Sequence, residues 1–229
     1  MIYVIIAILI FMLIMFFLSI FNSHSILLKL YRKYMNINNA ENMSGKNIAF
    51  LAKRAFNLDV KIAKTKGLLT DGYSSKSKII IISEEVCNNT SIAAAAIVAH
   101  EVGHAVQHKN NSLLFILNRF LKKICKMFCF FALPLFLVGA ILYWCEFNIK
   151  LGYILIIIAL ILLALNILQN LLEIPLEQNA SKIGFNFLKD YGIISIKNAK
   201  KVKKLLNVAS KTYMADFFKQ IIPIKRRKE

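Results

Sequence analysis

"AAAAIVAHEVGHAVQHKN", residues 93–110, holds three of the four histidines in this chain of 229 residues. His100, His104 and His108 follow one another at intervals of four, in an alanine-rich run that predicts a helix over residues 91–107. Positions i and i+4 share one face of a helix, so His100 and His104 can converge on a single metal ion. The stretch therefore predicts a helix built around a metal site.

The same stretch contains the pattern His-Glu-x-x-His, which is typical of zinc hydrolases. Glu101 lies beside both imidazoles and can take a proton from a water molecule that zinc activates. A catalytic zinc site also needs a third protein ligand and one open position. His108 does not suit the third position, because eight helical residues carry it about 12 Å along the axis from His100. We expect His108 either to position a ligand or substrate or to lie on the surface.

The remaining candidates for the third ligand are carboxylates near the end of the last apolar segment. Glu177 lies in "LEIPLEQNASKIG", and Glu173 precedes it in the same stretch, closer to the apolar residues. Spacing favours Glu177 but leaves Glu173 open as the rival ligand. His24 follows the first apolar segment and is interpreted as an interfacial residue.

The composition is that of a membrane protein. Hydrophobic residues make up 58% of the chain, which is too apolar for an ordinary soluble domain. Residues 1–21 are predicted to form one transmembrane helix, and residues 127–172 a hairpin of two more. The first segment lacks the basic region and the small-residue cleavage site of a signal peptide, so we expect it to be retained. The four cysteines form no CxxC pair and are expected to be free thiols.

The formal net charge of +18 is concentrated in the two polar segments. Residues 22–126 carry 16 Lys and Arg against 6 Asp and Glu, and residues 173–229 carry 13 against 5. Basic segments remain on the cytoplasmic side of a membrane, so we expect a multi-pass protein of the cell membrane with its N-terminus outside. Both segments can then contribute to one cytoplasmic site. We expect the basic charge to face the lipid bilayer, since no nucleic-acid-binding motif is present.

Local patterns predict a few further elements. In "LLTDGYSSKSKIIIISEE", residues 68–85, Asp71-Gly72 is interpreted as the turn of a β-hairpin. Residues 78–83 are β-branched and predict a strand, which we expect at the edge of a cleft where an extended substrate can pair with it. Pro175 is predicted to open a new helix that carries Glu177.

Three elements of the chain resemble the YugP-like membrane zinc metallopeptidases. "LTDGYSSKSKIIIISEEVCNNTSIAAAAIVAHEVGHAVQHKNNS" is similar to that family's LTDHYDP, strand, serine-glutamate pair and AAHEVGHAIQH helix. "IPLEQNAS" resembles its LPVEFDAS element, and "LLNVASKTYMA" resembles its VLNAAALTYVA helix. The resemblance implies that Glu177 is the third zinc ligand, and Ser181 matches the family serine. Gly72 stands where the family usually has histidine, and Gln178-Asn179 replace an aromatic-acid pair, departures that bear on specificity.

Residues and resemblance together imply a mainly α membrane protein with three transmembrane helices and a small α+β cytoplasmic, zincin-like catalytic domain. We expect one Zn²⁺ per chain on His100, His104 and Glu177, with Glu101 as the general base. Expected substrates are membrane or membrane-associated proteins and peptides. Two alternatives are an intramembrane protease of the site-2 kind, which needs the motif inside a spanning helix, and an inactive metal-binding scaffold.

Tyr213, in "LLNVASKTYMA", is a candidate catalytic residue. A phenol can donate a hydrogen bond to the oxyanion that forms when a peptide carbonyl is attacked. The alternative is that Tyr213 packs against the hairpin as an apolar core residue.

Overall fold

The computed structural model describes residues 26–67 and 70–221, with the main chain alone for residues 126, 129 and 211–221. The predicted helix of residues 1–21 and His24 lie outside the described residues. The helices are α1 (26–35), α2 (Gly45–Ala55), α3 (Glu84–Asn88), α4 (Ile92–Lys109), α5 (Leu113–Phe128), α6 (Ala132–Trp144), α7 (Ile149–Asp190) and α8 (Ile196–Ile221). The strands are β1 (Lys61–Thr65), β2 (Gly72–Ser74) and β3 (Ile79–Ser83).

The chain divides into two compact units. Among the described residues, the first unit combines residues 26–67 and 70–111 with residues 177–215, and the second unit combines residues 112–176 with residues 216–221. Segments far apart in sequence therefore build the first unit, and α7 contributes residues to both.

Helix α4 is the central helix of the first unit, and it confirms the helix predicted from the histidine stretch. Ser91 caps it, because the Ser91 hydroxyl accepts a hydrogen bond from the Ala94 N–H at 3.1 Å. The alanines at residues 93–96 are fully buried. Helix α2 and strands β2 and β3 pack against α4. Small side chains let these neighbours approach closely, so the run of alanines makes α4 a core helix rather than a surface helix.

The sheet has the strand order β1-β3-β2, with β1 parallel and β2 antiparallel to β3. The prediction that residues 78–83 form an edge strand was therefore wrong: β3 is the central strand, and β2 lies at an edge. The error has a physical cause, since the parallel pairing of β1 is a non-local contact that no local pattern reveals.

The hairpin turn also differs from the prediction. Residues 75–78 connect β2 to β3, and Lys78 adopts the left-handed conformation with a φ of 50°. Asp71 lies at the open end of the hairpin, where its carboxylate accepts a hydrogen bond from the Ser83 N–H at 2.7 Å. Asp71-Gly72 was thus wrongly interpreted as the turn, because the Asp71 side chain ties the two strands together instead.

Helix α7 runs for 42 residues with Pro175 inside it. The prediction that Pro175 opens a new helix was wrong. Proline removes one main-chain donor, but long apolar helices tolerate it where neighbouring groups compensate. Gly192 follows the end of α7 with a φ of 68°, the left-handed conformation in which glycine commonly ends a helix.

Helices α4 and α7 cross within the first unit at small residues. A Cβ added to Gly103 would lie 2.3 Å from the Ala180 carbonyl oxygen, and one added to Gly184 would lie 2.4 Å from that of Ala99. Each helix thus offers a pair of small residues spaced by four. This crossing fixes the register of α7 against α4 and sets the position of Glu177, one turn before Ala180.

The second unit is apolar and exposes much of its apolar surface. Within the described part of the chain, α7 is the one helix long and apolar enough to cross a membrane. Helix α6 is apolar but has 13 residues, and a 3-10 turn, Cys129–Phe131, separates it from α5. Residues 127–145 therefore do not form one continuous spanning helix, and of the two spans predicted within residues 127–172 the described residues support one, in α7.

Candidate metal centre

Three predicted ligands converge in the first unit. His100 and His104 come from consecutive turns of α4, and Glu177 comes from α7. One possible ligand atom from each lies within 4.8 Å of the others. The Glu177 carboxylate spans the two rings, with Oε2 at 3.1 Å from His100 Nε2 and Oε1 at 3.4 Å from His104 Nε2. Two imidazole nitrogens and one carboxylate oxygen thus face a common point.

The other nitrogen of each imidazole is held by a polar side chain. His100 Nδ1 lies 3.0 Å from the Ser181 hydroxyl. His104 Nδ1 lies 3.1 Å from Gln107 Oε1, and the Gln107 amide donates to Asn179 Oδ1 at 3.2 Å. A histidine that donates a hydrogen bond from Nδ1 presents the lone pair of Nε2 to a metal. The Gln107 carbonyl oxygen can only accept, so it favours this tautomer of His104, and the Ser181 hydroxyl can accept the same hydrogen bond from a metal-bound His100.

These supporting residues were not predicted for this role, although the sequence contained a signal. Gln107 is three residues after His104, and Ser181 is four residues after Glu177, which are the spacings of neighbours on one helix face. Asn179 belongs to the pair Gln178-Asn179, at which this chain departs from the family that it resembles. That departure therefore falls directly behind the candidate metal centre.

The donor set fits zinc. Tetrahedral zinc sites with two histidines, one carboxylate and an open position are typical of hydrolases. Both His100, 2% exposed, and Glu177, 6% exposed, are buried, so an uncompensated charge here would be costly. A divalent cation would compensate the Glu177 carboxylate.

The protonation of the metal-free groups agrees with a cation site. Burial lowers the pKa of His104, but the adjacent Glu177 carboxylate outweighs this and raises the pKa to about 9. Burial raises the pKa of Glu177, but hydrogen bonds from His100 and His104 outweigh it and hold that pKa well below its usual range. Glu177 is therefore ionised, and metal binding here displaces protons.

Glu101 lies next to the first histidine and is 3% exposed. A second carboxylate, that of Asp71, lies close enough for the charge of Glu101 to affect its pKa. Burial raises the pKa of Asp71, the hydrogen bond from the Ser83 N–H lowers it in part, and the charge of Glu101 raises it further. Asp71 Oδ2 and the Ser83 hydroxyl are buried without a hydrogen-bond partner among the described residues. Asp71 was predicted as a turn residue, and its proximity to Glu101 was not foreseen.

Glu173, the rival third ligand, is engaged within the second unit. Its Oε1 lies 2.6 Å from Lys122 Nζ, and its Oε2 accepts a hydrogen bond from the Gln169 amide at 2.9 Å. Gln169 also donates to Asn118 Oδ1 at 3.3 Å. Of the two carboxylates, Glu177 is the one that the structure brings to the histidines.

Two further predicted residues have different outcomes. His108 contacts strand β2, because its Nδ1 lies 2.7 Å from the Tyr73 hydroxyl. Tyr213 belongs to the main chain of α8, but its side chain lies outside the described residues. Its oxyanion role stays a prediction.

The chain is similar to proteins of a described family and to one named relative. The sequence profile of a family described as "Putative neutral zinc metallopeptidase" matches residues 5–226. A protein named "Putative membrane protease YugP", from Bacillus subtilis (strain 168), is 29% identical over 189 residues. That alignment covers 81% of this chain and 79% of the relative. No solved structure gives a significant match.

Proposed function

This chain belongs to the zinc metallopeptidase family whose profile matches it, and we propose that it is a membrane-anchored zinc endopeptidase. The observation that carries the proposal is the convergence of His100, His104 and Glu177, with ligand atoms within 4.8 Å of one another. The buried Glu101 beside them supplies the general base that such a hydrolase needs. The proposed ligand set would hold one Zn²⁺ per chain.

Each residue of the site has a separate proposed role in peptide hydrolysis. His100, His104 and Glu177 would hold the zinc ion, which, when bound, would act as a Lewis acid on the scissile carbonyl and lower the pKa of a bound water. Glu101 takes the proton from the attacking water and delivers it to the departing amine. Ser181 and Gln107 hold the two imidazoles in their productive orientation.

Strand β2 is the proposed docking edge for the substrate. It lies at the edge of the sheet and packs against α4, and its Tyr73 contacts His108 on that helix. An extended peptide that pairs with a sheet edge gains main-chain hydrogen bonds along its length. The edge role predicted for residues 78–83 is thus reassigned to β2.

The proposed substrates are membrane or membrane-associated proteins, cleaved at the cytoplasmic face. The apolar part of α7 supports an anchor, and the basic content of residues 22–126 and 173–229 supports a cytoplasmic site. The intramembrane alternative has less support, because α4 is not among the described helices that are long and apolar enough to span a membrane.

The decisive experiment replaces the proposed base. Full-length protein in detergent, loaded with zinc, is assayed against a library of quenched fluorescent peptides, and its metal content is measured. Glu101→Gln keeps the shape of the side chain but cannot accept a proton, so hydrolysis should fall by about 10²-fold or more at unchanged zinc content.

Glu84→Gln is the matched control, because it makes the same chemical change at an exposed glutamate that pairs with Lys64. Its activity should equal that of the parent protein. Normal turnover by Glu101→Gln would disprove the base assignment, and zinc binding without hydrolysis of any substrate would favour the inactive scaffold.

A further inference from the structure

A cavity of ≈ 270 Å³ lies at the C-terminal end of α4, within the first unit. Apolar side chains form part of its wall, and polar or charged side chains form the rest. The residues of its wall that bear on ligand binding are Ala105, His108, Lys109, Tyr73, Lys78 and Asp59.

The cavity lies close to the candidate metal centre. Ala105 directly follows the proposed ligand His104, and His108 is one helical turn beyond it. The contact of 2.7 Å between His108 Nδ1 and the Tyr73 hydroxyl joins α4 to the edge strand β2 at the same place. A peptide lying along β2 would therefore bring one of its side chains, or its end, to the mouth of the cavity.

The charge around the cavity is mainly positive. Lys78 forms an ion pair of 2.8 Å with Asp59, and both side chains are exposed. The hydrogen bond and charge of Lys78 lower the pKa of Asp59, and the charge of Lys53 lowers it further. Lys109 is the second lysine of the wall, so the wall carries two lysines and one carboxylate.

The two lysines of the wall retain donors for a further acceptor. Each ammonium has three N–H donors. Lys78 directs one towards Asp59, and Lys109 directs one to the Phe56 carbonyl oxygen at 2.7 Å. An anionic group entering the cavity would meet two lysines in its wall, each held by one hydrogen bond.

We propose that this cavity is a substrate subsite that takes a carboxylate, and that Lys78 and Lys109 determine this specificity. The carboxylate belongs either to an acidic side chain near the scissile bond or to the C-terminus of the substrate. The inference rests on the proposed peptidase function and deepens it by naming a substrate class.

The test uses full-length, zinc-loaded protein and three peptides that differ at one position by Glu, Gln or Lys. The varied position is moved along the peptide, and each peptide is made with a free and with an amidated C-terminus. We expect a Glu preference of roughly fivefold in kcat/KM, as for an exposed ion pair, and a decrease of that preference at high salt. A side-chain source gives a preference that survives amidation, whereas a C-terminal source gives one that amidation removes.

The double variant Lys78→Gln/Lys109→Gln should lose the preference for the carboxylate. The matched control is Lys46→Gln/Lys200→Gln, which removes two charges from exposed positions outside the cavity wall and should keep the preference. Equal cleavage of the Glu and Gln peptides, or a preference that survives in Lys78→Gln/Lys109→Gln, would overturn the proposal.

Peptide binding separates this inference from the peptidase function itself. The Glu101→Gln variant should bind the Glu peptide about fivefold more tightly than the Gln peptide, by fluorescence anisotropy, even though it does not cleave. Preferential binding of the Glu peptide, together with no cleavage by the parent protein, would disprove the peptidase function but support the carboxylate subsite. Equal binding of the Glu and Gln peptides would disprove the proposed carboxylate subsite.

Discussion

The two units place the same kinds of side chain in opposite surroundings. In the first unit, Ile80 and Phe187 are 0% and 2% exposed, whereas in the second unit Leu133 and Ile161 are 60% and 55% exposed. The transfer of apolar side chains from water to an apolar environment is favourable. The difference indicates that the first unit is built to be surrounded by water and that the second offers a surface suited to hydrocarbon.

Polar groups follow one rule in both units. In the first unit, Ser181 and Gln107 hold the imidazoles of the candidate metal centre. In the second unit, Gln169 bonds to Asn118 and Glu173. Buried polar groups need partners whether the surroundings are protein or lipid. In these two clusters, the units therefore differ in what their surfaces face and not in how buried polar side chains find partners.

The largest effect should come from breaking the close packing of the first unit. Gly103→Ala places a Cβ 2.3 Å from the Ala180 carbonyl oxygen, so α4 and the end of α7 must separate. We expect a loss of about 2–4 kcal/mol in the free energy of unfolding, together with a loss of bound zinc. Thermal unfolding and metal analysis measure both.

Gly72→Ala is the control for this substitution, because a Cβ at Gly72 meets nothing within 4 Å. It should leave both the melting temperature and the zinc content unchanged. Gly103→Ala with normal zinc content would show that the crossing does not position Glu177.

The contrast between the two surfaces can be sharpened by placing one charge on each. Leu160, 50% exposed, lies in the apolar part of α7, and Phe50, 43% exposed, lies on α2. Leu160→Lys should disfavour membrane insertion by about 3 kcal/mol, whereas Phe50→Lys should change stability by less than about 0.5 kcal/mol. Alkaline extraction of membranes measures the inserted fraction, and equal behaviour of the two variants would remove the distinction between the surfaces.

A smaller effect is expected from removing the hydrogen-bond partner of the His100 imidazole. Ser181→Ala removes the hydroxyl at 3.0 Å from His100 Nδ1, so the ring loses its orienting partner. Zinc affinity should fall about 10- to 100-fold, as for other residues that orient metal ligands. Competition with a zinc chelator measures this, and Ser77→Ala, at an exposed serine of the hairpin turn, should bind zinc normally. Unchanged affinity in Ser181→Ala would assign the orientation of His100 to packing alone.

The smallest expected effect concerns Asp71 and depends on pH. The folded-state pKa of Asp71 is raised above its usual value by burial, so the folded state loses stability as pH rises through that range. Asp71→Asn keeps the acceptor for the Ser83 N–H, gains a donor and carries no charge. At neutral pH, it should raise Tm by about 2 °C, and the gain should vanish below about pH 4. A gain that persists in acid would show that charge is not the cause.

The sequence predicted best what depends on neighbouring residues. The helical spacing of His100 and His104 and strand β3 are local features, and the structure contains both. Glu177 needed the resemblance to a family as well as spacing, because its approach to α4 depends on contacts between distant segments. The role of Gln107 was missed although its spacing from His104 is local.

The errors share a non-local cause. The parallel partner β1 makes β3 a central strand, and the Asp71 carboxylate reaches across the hairpin to Ser83. Helix α7 continues through Pro175 although proline usually marks a helix start. In each case a contact or a long helix overrode a local preference that the sequence displayed correctly.

The distance of 77 residues between His100 and Glu177 also has a consequence for how the protein is made. A ribosome that adds about 5–20 residues per second needs roughly 4–15 s to cover that interval. During this time the nascent chain contains both histidines and Glu101 but lacks the carboxylate that completes the proposed zinc site. The apolar part of α7 is synthesised before Glu177, so translation order delays the proposed peptidase activity until the proposed membrane anchor has been made.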